Sequence, residues 1–154
     1  MSTAHDFDFF HGSWRVEHRK LRDRLAGCTE WLSLTGTADA HPILGGIGNF
    51  DSLRIDGDDF EGVTLRLFDL EEKVWRIHWA DTRRGRLDPP LTGTFVDGVG
   101  TFYGDDAWNG KPIRVRFIWR DLGPNEASWE QAFSGDGGET WETNWTMRFH
   151  RPAS

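Results

Sequence analysis

Apolar and polar side chains alternate along several short runs of the chain. The pattern is clearest in three runs, whose apolar positions are Val63, Leu65 and Leu67; Trp75, Ile77 and Trp79; and Ile113, Val115, Phe117 and Trp119. A period of two with one apolar face is typical of half-buried antiparallel strands. We therefore predict β-structure, with these apolar positions facing the interior.

Turn signals divide the whole chain into runs of strand length. The runs predict ten strands, over 12–22, 29–41, 47–55, 60–69, 73–83, 91–97, 99–104, 112–121, 126–134 and 140–150. Only residues 3–10 suggest a helix, a short one with Ser2 or Thr3 as N-cap. Ten sequential strands favour an all-β, antiparallel up-and-down barrel, because closure removes the exposed sheet edges. A two-sheet sandwich is the alternative fold. In either case we expect a single domain that spans residues 1–154.

Composition narrows the classes of partner. The net charge of −7 is unsuited to phosphate-backbone binding, so we expect no nucleic-acid partner. No apolar run is long enough to span a bilayer and the first ten residues lack the pattern of a signal peptide, so we expect no membrane partner. Cys28 is the only cysteine, which excludes an intrachain disulfide and suits a reducing cytoplasm. The oligomeric state stays open.

Aromatic residues are unusually abundant, with nine Trp and eleven Phe. Large rings serve equally as the core of a small barrel or as the wall of a ligand cavity. Composition alone does not separate these two uses.

The opening of the first strand, Gly12-Ser13-Trp14, resembles the G-x-W motif of lipocalins and the wider calycins. Together with the stretches 44–49, 62–69, 87–90 and 129–134, it makes nearly the whole chain similar to small bacterial lipocalin-like proteins of unassigned function. The resemblance implies a barrel with an interior cavity and Trp14 at its closed end, and it brings no catalytic residues. The second lipocalin motif, the disulfide and the secretion signal are absent, so an extracellular carrier is not expected.

If Trp14 marks the closed end, alternate loops surround the mouth of the barrel. Residues 56–59, 83–90, 105–110 and 134–138 then lie at the mouth. The inward positions expected at mid-barrel are His18, Trp31, Asp51, Leu65, Trp79, Phe117, Trp129, Gln131 and Trp145. Lys20 continues the inward face of the first strand, but we expect its long side chain to reach solvent at the rim.

Two inward polar positions are candidates for chemistry. His18 shares a face with Trp14, and a neutral imidazole there could act as a base or a hydrogen-bonding group. Asn49 and Asp51 share a face of the third strand. A buried carboxylate needs a partner, which we expect to be His18, Arg116 or Arg66. Each of these polar residues could equally be a satisfied structural group.

These observations lead to two main hypotheses. The first is a small-molecule-binding barrel for a planar or amphipathic ligand, with binding residues His18, Trp31, Asn49, Asp51, Trp79, Arg116, Trp129, Gln131 and Trp145. The second is an enzyme that uses the same cavity for isomerisation, cyclisation or lyase chemistry, with His18 and Asp51 as the acid–base pair. An interaction module using Arg-rich strand faces is a weaker third option.

Metal and haem binding receive little support from the sequence. The six histidines show no metal-ligand spacing, so we expect no metal site. Haem is a weaker alternative that follows from a resemblance to the nitrobindins, which hold haem through a histidine late in the chain, where His150 lies here. The opening departs from theirs, because it is poorer in glycine.

Overall fold

The structure, a computed structural model, describes residues 1–152 and is a closed antiparallel barrel of ten strands. The strands are β1 (Gly12–Leu21), β2 (Trp31–Ile43), β3 (Gly48–Ile55), β4 (Glu61–Phe68), β5 (Trp75–Asp81), β6 (Leu91–Val96), β7 (Val99–Trp108), β8 (Lys111–Asp121), β9 (Glu126–Ser134) and β10 (Glu142–His150). All ten predicted strands and the up-and-down barrel are confirmed. The sandwich is excluded, because hydrogen bonding runs unbroken around the ring of strands.

Closure is made by β1, which pairs with β2 on one side and with β10 on the other. Weaker pairing occurs between β5 and β6, which share only the register from Trp75↔Gly93 to Ile77↔Leu91. Beyond Ile77 the two strands separate, and the connection 82–90 folds back so that the Asp88 N–H donates to the Trp79 carbonyl at 2.8 Å. The widest gap in the strand pairing therefore lies near the mouth.

The orientation predicted for β4 is wrong. Thr64, Arg66 and Phe68 are buried in the barrel, whereas Val63 and Leu65 are only half-buried on the outer face. Leu65 lies between Phe50 of β3 and His78 of β5, and such cross-strand neighbours stabilise an apolar row outside the barrel. A prediction based on hydrophobicity therefore places the wrong set of β4 side chains inside the barrel.

The closed end is filled by the N-terminal segment. The predicted helix over 3–10 is reduced to turns and one 3-10 turn, Asp8–Phe10. The segment carries Phe7 and Phe10 into the barrel, where they are at most 1% exposed. Phe7 packs edge-on against Trp75, with ring centroids 4.9 Å apart, and Phe10 packs against Trp119 at 4.7 Å. A plug of rings therefore occupies the space below the cavity.

Trp14 holds this plug in place. It lies at the closed end of the barrel, where the resemblance to lipocalins predicts it. Its indole N–H donates to the Phe10 carbonyl at 2.8 Å, and the ring stacks on Phe10. The Arg151 guanidinium lies 3.6 Å from the Trp14 ring centroid and donates to the carbonyls of Phe9 and Ser13. The N-terminal segment and Arg151 thus meet at one tryptophan.

We expect Trp14→Ala to lower the free energy of unfolding by about 3–5 kcal/mol, because truncating a fully buried ring leaves a cavity. Chemical denaturation monitored by circular dichroism measures the change. Tyr103→Ala is the matched control, since Tyr103 is 42% exposed on the outer face. Equal stability of the two variants would contradict the role of Trp14.

Candidate functional site

A cavity of about 490 Å³ occupies the barrel between the plug and the mouth. Its floor includes Phe10, Arg66 and Trp119. The mouth is bordered by polar and charged side chains, namely Lys20, Arg24, Asp81, Arg83, Arg84, Asp88, Asp105, Asp106 and Asn109. The predicted mouth loops 83–90 and 105–110 thus contribute to this opening. A cavity of this volume is typical of sites for small organic molecules.

Aromatic side chains in mutual contact form one wall of the cavity. The Trp145 ring packs edge-on against Trp129 at 5.1 Å and against Trp79 at 6.0 Å, and Phe117 continues the row at 5.1 Å from Trp129. Trp79 lies flat across β4 because Gly62 has no side chain; a Cβ there would approach the ring to 2.0 Å. The rings hold one another in place, so the wall is preformed.

His18 lies behind this wall. Nδ1 accepts a hydrogen bond from the Trp145 indole at 3.1 Å, and the residue is 1% exposed. Nε2 is buried without a partner among residues 1–152. Burial, followed by the charge of Lys20, lowers the pKa of His18 to about 4. The imidazole is therefore neutral at neutral pH and fixes the orientation of Trp145.

The floor contains the most deeply buried ion pair. Arg66 donates to Asp51 at 2.7 Å and to Asn49 at 2.8 Å, and its side chain is 2% exposed. Its guanidinium lies about 5 Å from the ring centroids of Phe7 (5.1 Å) and Trp119 (5.0 Å). The expectation that Asp51 pairs with one of three named partners is confirmed, and the partner is Arg66.

A β-bulge in β10 adds an inward polar group that strict alternation misses. The register shifts between Thr143 and Trp145, so Asn144 is fully buried beside Trp145 instead of facing outward. Gln131 of β9, which lines the cavity, donates to the Asn144 side-chain oxygen at 2.9 Å. This bond holds the amide of Gln131 at the cavity wall.

Two basic side chains reach the cavity from β1 and the loop that follows it. Lys20 is 8% exposed, which contradicts the expectation that it reaches solvent. Its Nζ lies 4.0 Å from the Trp145 ring centroid. Arg24 lies over the same ring at 6.0 Å and over Trp108 at 5.4 Å. These rings provide the main local compensation for the two cations.

The structure brings together only part of the predicted binding set. Asp51, Trp79, Trp129, Gln131 and Trp145 line the cavity, while Asn49 and His18 lie buried behind its wall. Phe117, predicted only as an inward position, also lines the cavity. Two expectations of orientation are wrong. Trp31 lies on the outer face, stacked with Arg19, because it lies an odd number of positions from the inward residues Ala38 and Ala40 in a strand of unbroken register. Arg116 also lies outside, 4.7 Å from the Trp141 ring centroid.

The proposed acid–base pair is not assembled. His18 bonds to Trp145 and Asp51 bonds to Arg66, and no hydrogen bond joins the two residues. The phase of β1 places Lys20 on the same face as Trp14 and His18, but its burial was not predicted from the sequence. Arg24 was not singled out, and Asn144 was expected on the outer face.

The residues present do not fit haem held through a histidine. His150 lies half-buried on the outer face, 3.9 Å from Glu17, and no histidine is among the described residues that line the cavity. No group of three His, Cys, Asp or Glu side chains within residues 1–152 is placed to hold a metal ion. No helix in that range is long and apolar enough to cross a membrane.

Two solved structures resemble this barrel. The S-type phycobiliprotein lyase CPES from Guillardia theta superposes with a TM-score of 0.64 at 14% identity, over 100% of this chain and 94% of that chain. Rv2717c from M. tuberculosis superposes with a TM-score of 0.62 at 12% identity, over 99% of each chain. The fold is a lipocalin-like barrel. No family model and no curated protein matches the chain, and identities this low establish the fold alone.

We expect Asp51→Leu to lower the free energy of unfolding by about 3–5 kcal/mol, because it leaves the Arg66 cation buried without its counter-ion. The double variant Asp51→Leu/Arg66→Met should recover most of that loss, since both charges are then gone. Denaturant unfolding measures both variants. Asp105→Ala breaks the exposed pair with Arg114 and should change stability little. A double variant no more stable than the single one would contradict this account.

Stability should also fall as the pH falls from about 6.5 to about 4, because the unfolded chain protonates His18 while the folded chain does not. His18→Gln retains an acceptor for Trp145 and removes this titration. Between pH 7.5 and pH 4.5 we expect the wild type to lose roughly 2 kcal/mol more unfolding free energy than the variant. Identical pH profiles would show that folding does not lower the pKa of His18.

Proposed function

We propose that this protein is a small-molecule-binding barrel that holds a planar or amphipathic ligand in its aromatic cavity. The observation that carries the proposal is the preformed wall of Trp79, Trp145, Trp129 and Phe117 beside about 490 Å³ of space. Edge-to-face contacts between the rings leave flat aromatic surface available to a ligand. Rings that served only as packing would fill this space instead of surrounding it.

Polar groups toward the mouth of the cavity favour an amphipathic ligand. Gln131, held by Asn144, and Lys20 lie on either side of Trp145 in the strand register, and Arg24 lies in the loop after β1. Toward the floor the lining is largely aromatic and aliphatic, apart from Arg66 and Asp51. A few fixed polar groups in an apolar pocket orient a ligand, while the apolar surface supplies most of the binding energy.

An enzyme is the less supported alternative. The Guillardia theta neighbour is named a lyase, but here His18 and Asp51 are engaged by different partners at different depths of the barrel. General acid–base catalysis needs its groups within hydrogen-bond reach of the reacting atoms. A binding function needs no such acid–base pair. We propose that the protein acts in the cytoplasm and that its partner is a small molecule.

Replacing Trp129 with Ala should weaken binding of the uncharged fluorescent probe N-phenyl-1-naphthylamine at least about tenfold, since a large ring contact contributes more than 1.4 kcal/mol. Titration of probe fluorescence measures the dissociation constant. Trp31→Ala is the matched control and should bind like the wild type, because its ring lies outside the barrel. Unchanged affinity in a folded Trp129→Ala protein would place the ligand elsewhere.

Native mass spectrometry of the protein purified from its own host provides a second test. A co-purified small molecule lost from the Trp129→Ala variant and retained by Trp31→Ala would support the proposal and identify the ligand by mass. Retention of the molecule by both variants would contradict binding in the cavity. The ultraviolet-visible spectrum of the same sample tests haem independently.

A further inference from the structure

Two cations in the cavity wall lack a counter-ion. Lys20 is more than nine-tenths buried, and Arg24 is half-buried in the loop after β1. Within the part of the chain that the structure describes, neither forms an ion pair, although the exposed Arg22 between them pairs with both Asp23 and Glu30. Burying an unpaired cation is unfavourable. The location of two unpaired cations at the cavity wall therefore requires an explanation.

The aromatic rings compensate these charges only in part. Lys20 Nζ lies 4.0 Å from the Trp145 centroid and 5.0 Å from that of Phe60, and Arg24 lies over the Trp145 face at 6.0 Å. Both cations therefore lie near one ring of the cavity lining, and the charge of Arg24 acts on Lys20. Burial is the main cause that lowers the pKa of Lys20 to about 8 and that of Arg24 to about 10.

The carboxylates at the mouth are engaged elsewhere. Asp88 pairs with Arg84 at 3.1 Å, and Asp105 pairs with Arg114 at 2.9 Å. Asp81 accepts from the Trp79 indole at 3.0 Å. The side-chain oxygen of Asp106 accepts from the Ala107 N–H at 2.7 Å. None of them forms an ion pair with Lys20 or Arg24, although Asp81 acts on Lys20 from a longer distance. The cationic side of the mouth therefore remains unpaired among the described residues.

We propose that the ligand carries an oxyanion, a carboxylate or a sulfonate-like group, which lies between Lys20 and Arg24 while its apolar body lies against Trp145 and Trp129. This inference rests on the proposed binding function and names the charge of the ligand. An oxyanion accepts hydrogen bonds from both cations, and charge-assisted bonds in a partly dehydrated site are stronger than neutral ones. Arg83, over the Phe60 ring at 5.2 Å, adds a third cation to the same side of the mouth.

A pair of probes that differ by one anionic group tests the inference. 1-Anilinonaphthalene-8-sulfonate carries a sulfonate, and N-phenyl-1-naphthylamine has the same ring system without it. We expect the wild type to bind the sulfonate at least about tenfold more tightly, which corresponds to roughly 1.4 kcal/mol for a charge-assisted contact. In Lys20→Met this preference should disappear, because the sulfonate then binds no more tightly than the uncharged probe.

Lys73→Met is the matched control. It makes the same change in net charge on an exposed lysine of the β4–β5 loop, at the opposite end of the barrel. It should retain the sulfonate preference, which separates the local contact from the overall charge of −7. Lys20→Met should also unfold at a temperature no lower than the wild type, because it removes an unpaired buried charge.

The outcomes separate the two proposals. If the uncharged probe binds but the sulfonate binds no tighter, or if Lys20→Met keeps the preference, the oxyanion site is overturned and the binding function stands. If neither probe binds the wild type, the binding function is overturned, and the oxyanion site with it. If the sulfonate preference is lost in Lys20→Met but kept in the wild type and in Lys73→Met, the result supports both the binding function and the oxyanion site.

The pH dependence gives a second readout. Bound oxyanion raises the pKa of Lys20, so sulfonate affinity should be constant below the free pKa of about 8 and fall as the pH rises above it. The charged groups that act on Lys20 are Arg83, Arg24, Asp81 and Asp58. All of them remain in Lys20→Met, whose affinity should not change between pH 7 and pH 9. A wild-type profile as flat as that of the variant would overturn the site.

Discussion

The buried contact of Arg66 with Asp51 and Asn49 connects the closed end of the barrel to the cavity above it. The guanidinium is held by β3 through two hydrogen bonds and is surrounded by rings from the N-terminal plug and β8. A one-residue slip between β3 and β4 would move Arg66 and its two partners to opposite faces. The charge of Arg66 therefore fixes the register of these strands more strictly than hydrophobicity does.

That register has consequences for the cavity. With Arg66 inward, Thr64 and Gly62 follow on the same face toward the mouth, and Gly62 leaves the space that the Trp79 ring occupies. Trp79 then supports Trp145, whose indole N–H is held by His18. The hollow part of the barrel is therefore maintained by polar contacts at its edges, because rings alone would collapse to fill it.

The sequence was sufficient for the architecture because turn residues and alternating runs are local signals. All ten strands follow from them, whereas the position of Trp14 at the closed end follows from the resemblance of Gly12-Ser13-Trp14 to the lipocalin motif. The orientation of β4 was predicted wrongly because Val63, Leu65 and Leu67 are more hydrophobic than Thr64, Arg66 and Phe68. The polar residues Asn49 and Asp51 on the neighbouring strand indicated the opposite orientation, since a buried carboxylate needs a cation beside it. The inward position of Asn144 was not predicted because a β-bulge interrupts the alternation, and no local sequence pattern indicates that bulge.

Basic side chains enter this barrel at two depths and are treated differently at each. At the floor, Arg66 has a carboxylate and an amide as partners, so its charge is compensated within the fold and contributes to structure. At the mouth, Lys20 and Arg24 have aromatic faces as their main compensation and no carboxylate within the described chain. A fold that needed these two cations only for stability would gain from a neutral residue at either position. Their presence beside an open cavity is explained if the missing counter-ion belongs to the ligand.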